Sequence, residues 1–149
     1  MRCSSDGRGR QAQLTAEGRA LLDSPNMLLA NIREDDAIDR IFQDVRPEVV
    51  FHAAALKHLP LLERFPIEAY KTNVLGTLNL LRAAASVGVE RFVNVSTDKA
   101  ADPCSVMGAS KRAAEQVVFE IGRRHDLPFV DRLDFKEDKI KLIKKQNRL

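Results

Sequence analysis

Glu48-Val49-Val50-Phe51-His52-Ala53-Ala54-Ala55-Leu56-Lys57-His58 is the stretch that decides the fold. It opens as a continuous, β-branched apolar run, the pattern of a strand covered on both faces in a parallel sheet. It ends in alanines, and small residues at the carboxyl end of such a strand leave room for a ligand to touch the backbone. Tight helix–sheet packing would favour the same alanines. Further along, Arg91-Phe92-Val93-Asn94-Val95-Ser96-Thr97-Asp98-Lys99 has the same form, an apolar strand running into polar residues. Between the two, Pro66 opens a Leu- and Ala-rich helix that extends to about Ser86, and Gly88 ends it. A crossover of that length makes the two strands parallel.

The pattern continues on both sides. Val106 to about Arg124 reads as a helix, and Pro128-Phe129-Val130 starts another strand. On the amino-terminal side, Glu34–Asp44 carries Ala37, Ile38, Ile41 and Phe42 as a helical stripe. Before it, Met27–Ile32 reads as a short buried strand. The alternation of strand and helix predicts an α/β, Rossmann-like, doubly wound parallel sheet. Residues 1–13 read as disordered, and Leu14–Asp23 as a short helix with Thr15 as its N-cap. Leu133–Leu149 reads as a charged stretch, a surface helix at most and not a continuation of the sheet. These readings divide the chain into 1–26, a disordered start and short helix; 27–131, a partial dinucleotide-binding domain; and 132–149, a basic tail.

Composition narrows the function. Of 149 residues 44% are hydrophobic and 30% charged, which suits one globular domain. With seven Phe, one Tyr and no Trp, the core must be aliphatic and alanine-rich. The formal charge of +3 is local: Lys136–Leu149 holds six Lys or Arg against Glu137 and Asp138, a net of +4, so the remainder is about −1. That distribution, with few aromatics for stacking on bases, argues against a nucleic-acid partner. Cys3 and Cys104 lack ligand-like spacing and read as free thiols, so no metal is expected. No apolar run is long enough to span a bilayer, and a cytoplasmic location is expected.

Two polar clusters carry the chemistry. Thr97-Asp98-Lys99 sets a hydroxyl, a carboxylate and an amine together where a strand leaves the core, able to serve one substrate with a hydrogen bond, a proton donor and a proton acceptor. In Met107-Gly108-Ala109-Ser110-Lys111, positions 107 and 111 lie one helical turn apart on one face, and Lys111 could reach back over the strand ends. Taken singly, each cluster also reads as solvated charge.

Together they form a recognisable order. From Asn31 to Glu115 the chain resembles the polysaccharide-biosynthesis branch of the extended short-chain dehydrogenases, the nucleotide-sugar 4,6-dehydratases. The stretches that carry the likeness are HAAALKHLPLLERFP, KTNVLGTLNLLRAA, RFVNVSTDKAADP and SVMGASKRAAE. The resemblance implies NAD or NADP as hydride carrier and a nucleotide-sugar substrate, with UDP-N-acetylglucosamine suggested. The sugar is oxidised at C4, loses water across C5 and C6, and is reduced at C6. By motif position, Thr97 would bond the C4 oxygen, Asp98 would be the acid for the leaving C6 hydroxyl, and Lys99 the base at C5. A lysine acting as base must lose its proton, and Lys57, His58 and Lys111 could supply the positive charge that favours this. Lys99, where retaining relatives carry Glu, resembles the subgroup that inverts C5. Lys111 matches the lysine on the nicotinamide ribose, Ala53, Ala54, Ala55 and Lys57 the cofactor-lining loop, Asn73 the asparagine of the central helix, and Asn31 and Ile32 the adenine end.

Three departures stand beside the likeness. Met107 replaces the tyrosine common to this fold, as in some members of the branch, and a thioether transfers no proton. No strand runs into a G-x-G-x-x-G turn, and Gly7-Arg8-Gly9 does not supply one. After the last strand the likeness ends. In the order 3-2-1-4-5-6 the strands read here would be the third to sixth, so the expectation is an incomplete sheet with unpaired edges and exposed apolar surface, a homo-oligomer as one way to cover it, and a truncated, inactive chain. The alternatives are a degenerate, non-catalytic nucleotide-binding or interaction module and an epimerase of the same fold.

Overall fold

A computed structural model describes residues 28–125, 130–136 and 139–143. The expected disorder of 1–13 and the helix over Leu14–Asp23 lie outside the described residues.

Helix α1 (Asp35–Val45) begins with Asp35 and Asp36, whose charge suits a helix amino end. It stops at Arg46, which adopts the left-handed conformation (φ 45°) and returns its N–H to Phe42 O at 2.9 Å. Pro47 follows, and β1 (Val49–His52) starts. A short helix α2 (Leu59–Arg64) leads to α3 (Pro66–Ala69), which widens into a π-helical turn (Tyr70–Leu75) and continues as α4 (Gly76–Val87). Gly88, at φ 74°, closes α4 as the sequence predicts. Then come β2 (Arg91–Ser96), a 3-10 turn (Asp98–Ala100), α5 (Val106–Arg124), β3 (Val130–Lys136) and β4 (Lys139–Ile143).

The sheet has four strands in the order β1-β2-β3-β4. β1 and β2 pair in parallel with His52 opposite Asn94, and β2 and β3 in parallel with Ser96 opposite Asp134. One core joins Ile38 and Phe42 of α1, Leu80, Leu81, Ala83 and Ala84 of α4, Val89, Phe92 of β2 and Val118 of α5. Ala83 and Ala84 are fully buried, so two helices approach closely without large side chains between them. A second cluster joins Leu62, Ala69 and Met107.

Three expectations need correction. Leu28–Ile32 forms no strand. Among the described residues no ladder lies beside it, and Asn31 instead closes a turn, accepting from Arg33 N–H at 3.1 Å through its side chain and from Glu34 N–H at 3.0 Å through its carbonyl. Leu29 is fully exposed, while Ile32 packs on Gly76. Second, the charged tail does continue the sheet: β4 pairs antiparallel with β3, Phe135 opposite Ile140, and the boundary drawn at 131/132 falls inside β3. Lys139-Ile140-Lys141-Leu142-Ile143 alternates with the strand period, and the free edge of β3 offers it a ladder. Third, among the described residues β1 is covered on one face only: His52 is buried and Val50 packs on the core, but Phe51 remains 69% exposed and Val49 44%.

Gly108 marks where α5 meets the turn after β2. A Cβ there would stand 2.6 Å from the Lys99 carbonyl oxygen and 3.3 Å from Pro103. Gly108→Ala should therefore lower stability by about 1–3 kcal/mol, the ordinary cost of overpacking. The helix propensity that alanine adds, about 1 kcal/mol, does not offset a clash with backbone. Urea unfolding of the two chains reads the difference.

Candidate active site

The carboxyl ends of β1 and β2 and the first turns of α4 and α5 meet at one rim. Thr97 is half-buried and caps the 3-10 turn: its hydroxyl donates to Asp98 Oδ1 at 3.0 Å and accepts from Lys99 N–H at 3.4 Å. Asp98 and Lys99 face solvent. The turn is pinned to α5 by Arg112, which donates to the carbonyls of Ala100 (3.2 Å) and Ala101 (3.0 Å), and by the close approach at Gly108. The amino end of α5 is held by Ser105, whose hydroxyl accepts from Gly108 N–H at 3.1 Å, and by Glu63 of α2, which accepts from Val106 N–H at 2.8 Å.

Lys111 is half-buried, and its ammonium donates to Val95 O at 3.1 Å. Burial holds its pKa below the ordinary lysine value, with the Glu115 carboxylate pulling the other way. Ser96, just past Val95 on β2, donates to the Glu115 carboxylate. On the neighbouring strand His52 is buried, and burial together with the Lys111 charge pushes its pKa from 6.5 down to about 4. Its tautomer follows from counting hydrogens. Thr77 spends its single hydroxyl hydrogen on Asn73 O at 2.7 Å, so His52 Nε2 carries the proton it shares with Thr77 Oγ1 at 2.8 Å.

Asn73, 1% exposed, sits in the π-helical turn. Its side-chain oxygen accepts from Leu56 N–H at 2.8 Å, and its nitrogen donates to Leu56 O at 3.1 Å and Ser110 Oγ at 2.9 Å. Ser110 donates in turn to Met107 O at 2.8 Å. The loop from Ala53 to Lys57 is thus fixed from below at Leu56, with Ala53, Ala54 and Lys57 exposed and Ala55 half-buried.

Ala53–Ala55 leave β1 beside the end of β2, because His52 pairs with Asn94. Lys111, which touches Val95 and acts on His52, stands at the same place. Asn31 and Ile32 are held near the start of α4, where Asn79 donates to Ile32 O at 3.1 Å. Asn73 has its amide engaged beneath the loop and acts on the rim through Leu56. Met107 is 6% exposed, packed with Leu62 and Ala69, in an apolar setting with no proton to give. Ser96 and Glu115 lie outside the polar clusters that the sequence marks as candidate chemistry. The spacing of Lys111 and Glu115, i and i+4 on one helix, was the available signal.

A parallel sheet with small residues and a helical lysine at its carboxyl rim defines the class: this is part of the Rossmann-like, doubly wound fold of the extended short-chain dehydrogenases. The chain belongs to the polysaccharide biosynthesis protein family, whose family model matches residues 9–130. It is 43% identical over 102 residues to EpsC of Bacillus subtilis, a probable polysaccharide biosynthesis protein, a match covering 68% of this chain and 17% of that protein. A UDP-glucose 4-epimerase of Rickettsia bellii is 40% identical over 107 residues, 70% of this chain and 31% of the epimerase. Among solved structures, DesIV of Streptomyces venezuelae, a dTDP-glucose 4,6-dehydratase with NAD and TYD bound, superposes with a TM-score of 0.63 at 28% identity, covering 69% of this chain and 36% of DesIV. The chain thus spans less than a third of the curated relatives named. Among the described residues no helix is long and apolar enough to cross a membrane.

The His52 shift has a testable sign. Unfolded, the imidazole takes up a proton below its ordinary 6.5; folded, only near 4. Between these values the unfolded state binds more protons, so stability rises with pH across that window and is lost as pH falls through it. The full contribution, on the order of 3 kcal/mol, is present above pH 6.5. Subtracting the pH–stability curve of His52→Gln from that of the parent chain should leave a slope confined to this window.

Proposed function

We propose that this chain carries the reaction half of a nucleotide-sugar 4,6-dehydratase site, acting on a UDP-sugar, with UDP-N-acetylglucosamine the substrate the resemblance suggests, and inverting C5. The observation that carries the reading is the Thr97-Asp98-Lys99 turn, held on α5 by Arg112 beside the half-buried Lys111. Thr97 bonds the C4 oxygen of the sugar. Lys99 removes the C5 proton, and Asp98 gives a proton to the C6 hydroxyl as it departs as water.

The residues present fit one half of an NAD or NADP molecule. Exposed Ala53 and Ala54 leave backbone within reach of a nicotinamide, and the Lys111 ammonium can bond the adjoining ribose. When bound, the cofactor supplies a hydride acceptor for C4 and a donor for C6. No glycine-rich strand-to-helix turn for the pyrophosphate stands among the described residues, and Asn31-Ile32 offers only the adenine end. We therefore read this chain by itself as inactive, with the reaction assigned to the cytoplasm, where both cysteines stay reduced.

The epimerase reading has support in the 40% identity to the Rickettsia bellii enzyme. It fits less well. Asp98 and Lys99 together suit elimination, whereas Met107 supplies none of the proton exchange that C4 epimerisation asks of that position.

The test has two arms. In amide-resolved NMR, NAD+ or NADP+ at high concentration should move the signals of Ala53–Lys57 and Lys111, and Lys111→Met should weaken that response at least tenfold. Signals that stay put at saturating cofactor would count against a retained cofactor cleft. Incubation with UDP-N-acetylglucosamine and NAD+ should give no 4-keto-6-deoxy sugar; turnover by this chain alone would refute the inactive assignment while upholding the dehydratase one.

A further inference from the structure

Lys111 and Glu115 lie one turn apart on the same face of α5. They grip consecutive residues of β2. Lys111 bonds the main chain at Val95 O, at 3.1 Å, and Glu115 accepts the side-chain hydroxyl of Ser96. Ser96 is 6% exposed, so its hydroxyl needs a protein acceptor. Thr97, Asp98 and Lys99 follow at once.

We propose that Glu115 is a positioning residue, closing with Ser96 and Lys111 a clasp of α5 on the last two residues of β2 that sets where Thr97, Asp98 and Lys99 stand. The clasp rests on geometry alone; its consequence for catalysis rests on the dehydratase reading. An amide at position 115 could also accept from Ser96, through a neutral and weaker bond. The carboxylate does a second thing: it keeps a half-buried ammonium charged. Among the residues whose side chains are described, the groups that face Lys111 are Glu115 on its own helix, the Val95 carbonyl on β2 and, from β1, His52, which is neutral above about pH 4. Asp98 and Lys99 lie beyond the strand end in solvent. Among the described side chains Glu115 is therefore the anion that opposes the desolvation of Lys111.

Two substitutions separate the parts. Glu115→Gln keeps an acceptor for Ser96 and removes the charge; Ser96→Ala keeps the charge and removes the hydrogen bond. With lysines labelled at Cε and Lys111 assigned by Lys111→Arg, the Lys111 titration midpoint should fall in Glu115→Gln and return toward the parent value in Glu115→Asp. A merely structural glutamate would not move that midpoint. In Ser96→Ala the midpoint should hold while the amide signals of Thr97, Asp98 and Lys99 shift. A midpoint unchanged in folded Glu115→Gln, or a Lys111 in the parent chain that titrates as a free lysine does, overturns the clasp. If Glu115→Gln loses its dispersed amide signals, Ser96→Ala decides, and unmoved amides at 97–99 overturn it. No cofactor or sugar is added, so this result is independent of whether the chain binds either.

Discussion

The rim of this sheet depends on one buried carboxamide. Asn73 must satisfy two donors and an acceptor away from water, and leaving a buried polar group unpaired costs about 1–3 kcal/mol. It does so by joining segments far apart in the chain: both main-chain groups of Leu56, in the loop after β1, and Ser110, on the first turns of α5. The helix widens into a π-turn around it, a local departure often found where side chains are committed to a site. Hydrogen bonds extend the link at both ends, from His52 through Thr77 to the Asn73 carbonyl, and from the Asn73 amide through Ser110 to Met107. The alanine loop, the central helix and the lysine-bearing helix therefore hold one relative position, and the placement of Lys111 follows from it.

How much of this was legible in the sequence varies with the physics involved. The parallel strands at Val49–His52 and Arg91–Ser96, the helix ending at Gly88 and the helix beginning near Val106 were all readable, because apolar runs, a proline and a glycine act locally. Met27–Ile32 and the carboxyl-terminal stretch were misread for a shared reason: whether a short run becomes a strand depends on a partner with a free edge. Leu28–Ile32 has none among the described residues and turns at Asn31; Lys139–Ile143 finds the edge of β3. For the site, the motif residues 97–99 and 111 were visible as chemistry. The roles of Asn73 and Glu115 were not, because each depends on what another element brings to it.

The half-covered β1 has consequences of its own. Val50 and His52 face the helices, whereas Val49 and Phe51 present apolar surface on the opposite side. In a doubly wound sheet that second face belongs to a further layer of helices, so the alternation along β1 records a requirement for cover that the described residues do not meet.

The position of the polar groups also limits how the proposed chemistry could work. Met107 is enclosed by Leu62 and Ala69, and His52 is held neutral over the physiological range, so neither carries protons at the rim. The groups to which the dehydratase reading assigns proton exchange with a sugar, Asp98 and Lys99, face solvent. An amine becomes a useful base only when its water is removed or a cation is set beside it. On the dehydratase reading, the removal of water has to come with whatever covers the turn at 97–99 when a sugar nucleotide is bound. On that reading, then, the described fold supplies position, and catalysis waits on the covering of an exposed acid–base pair.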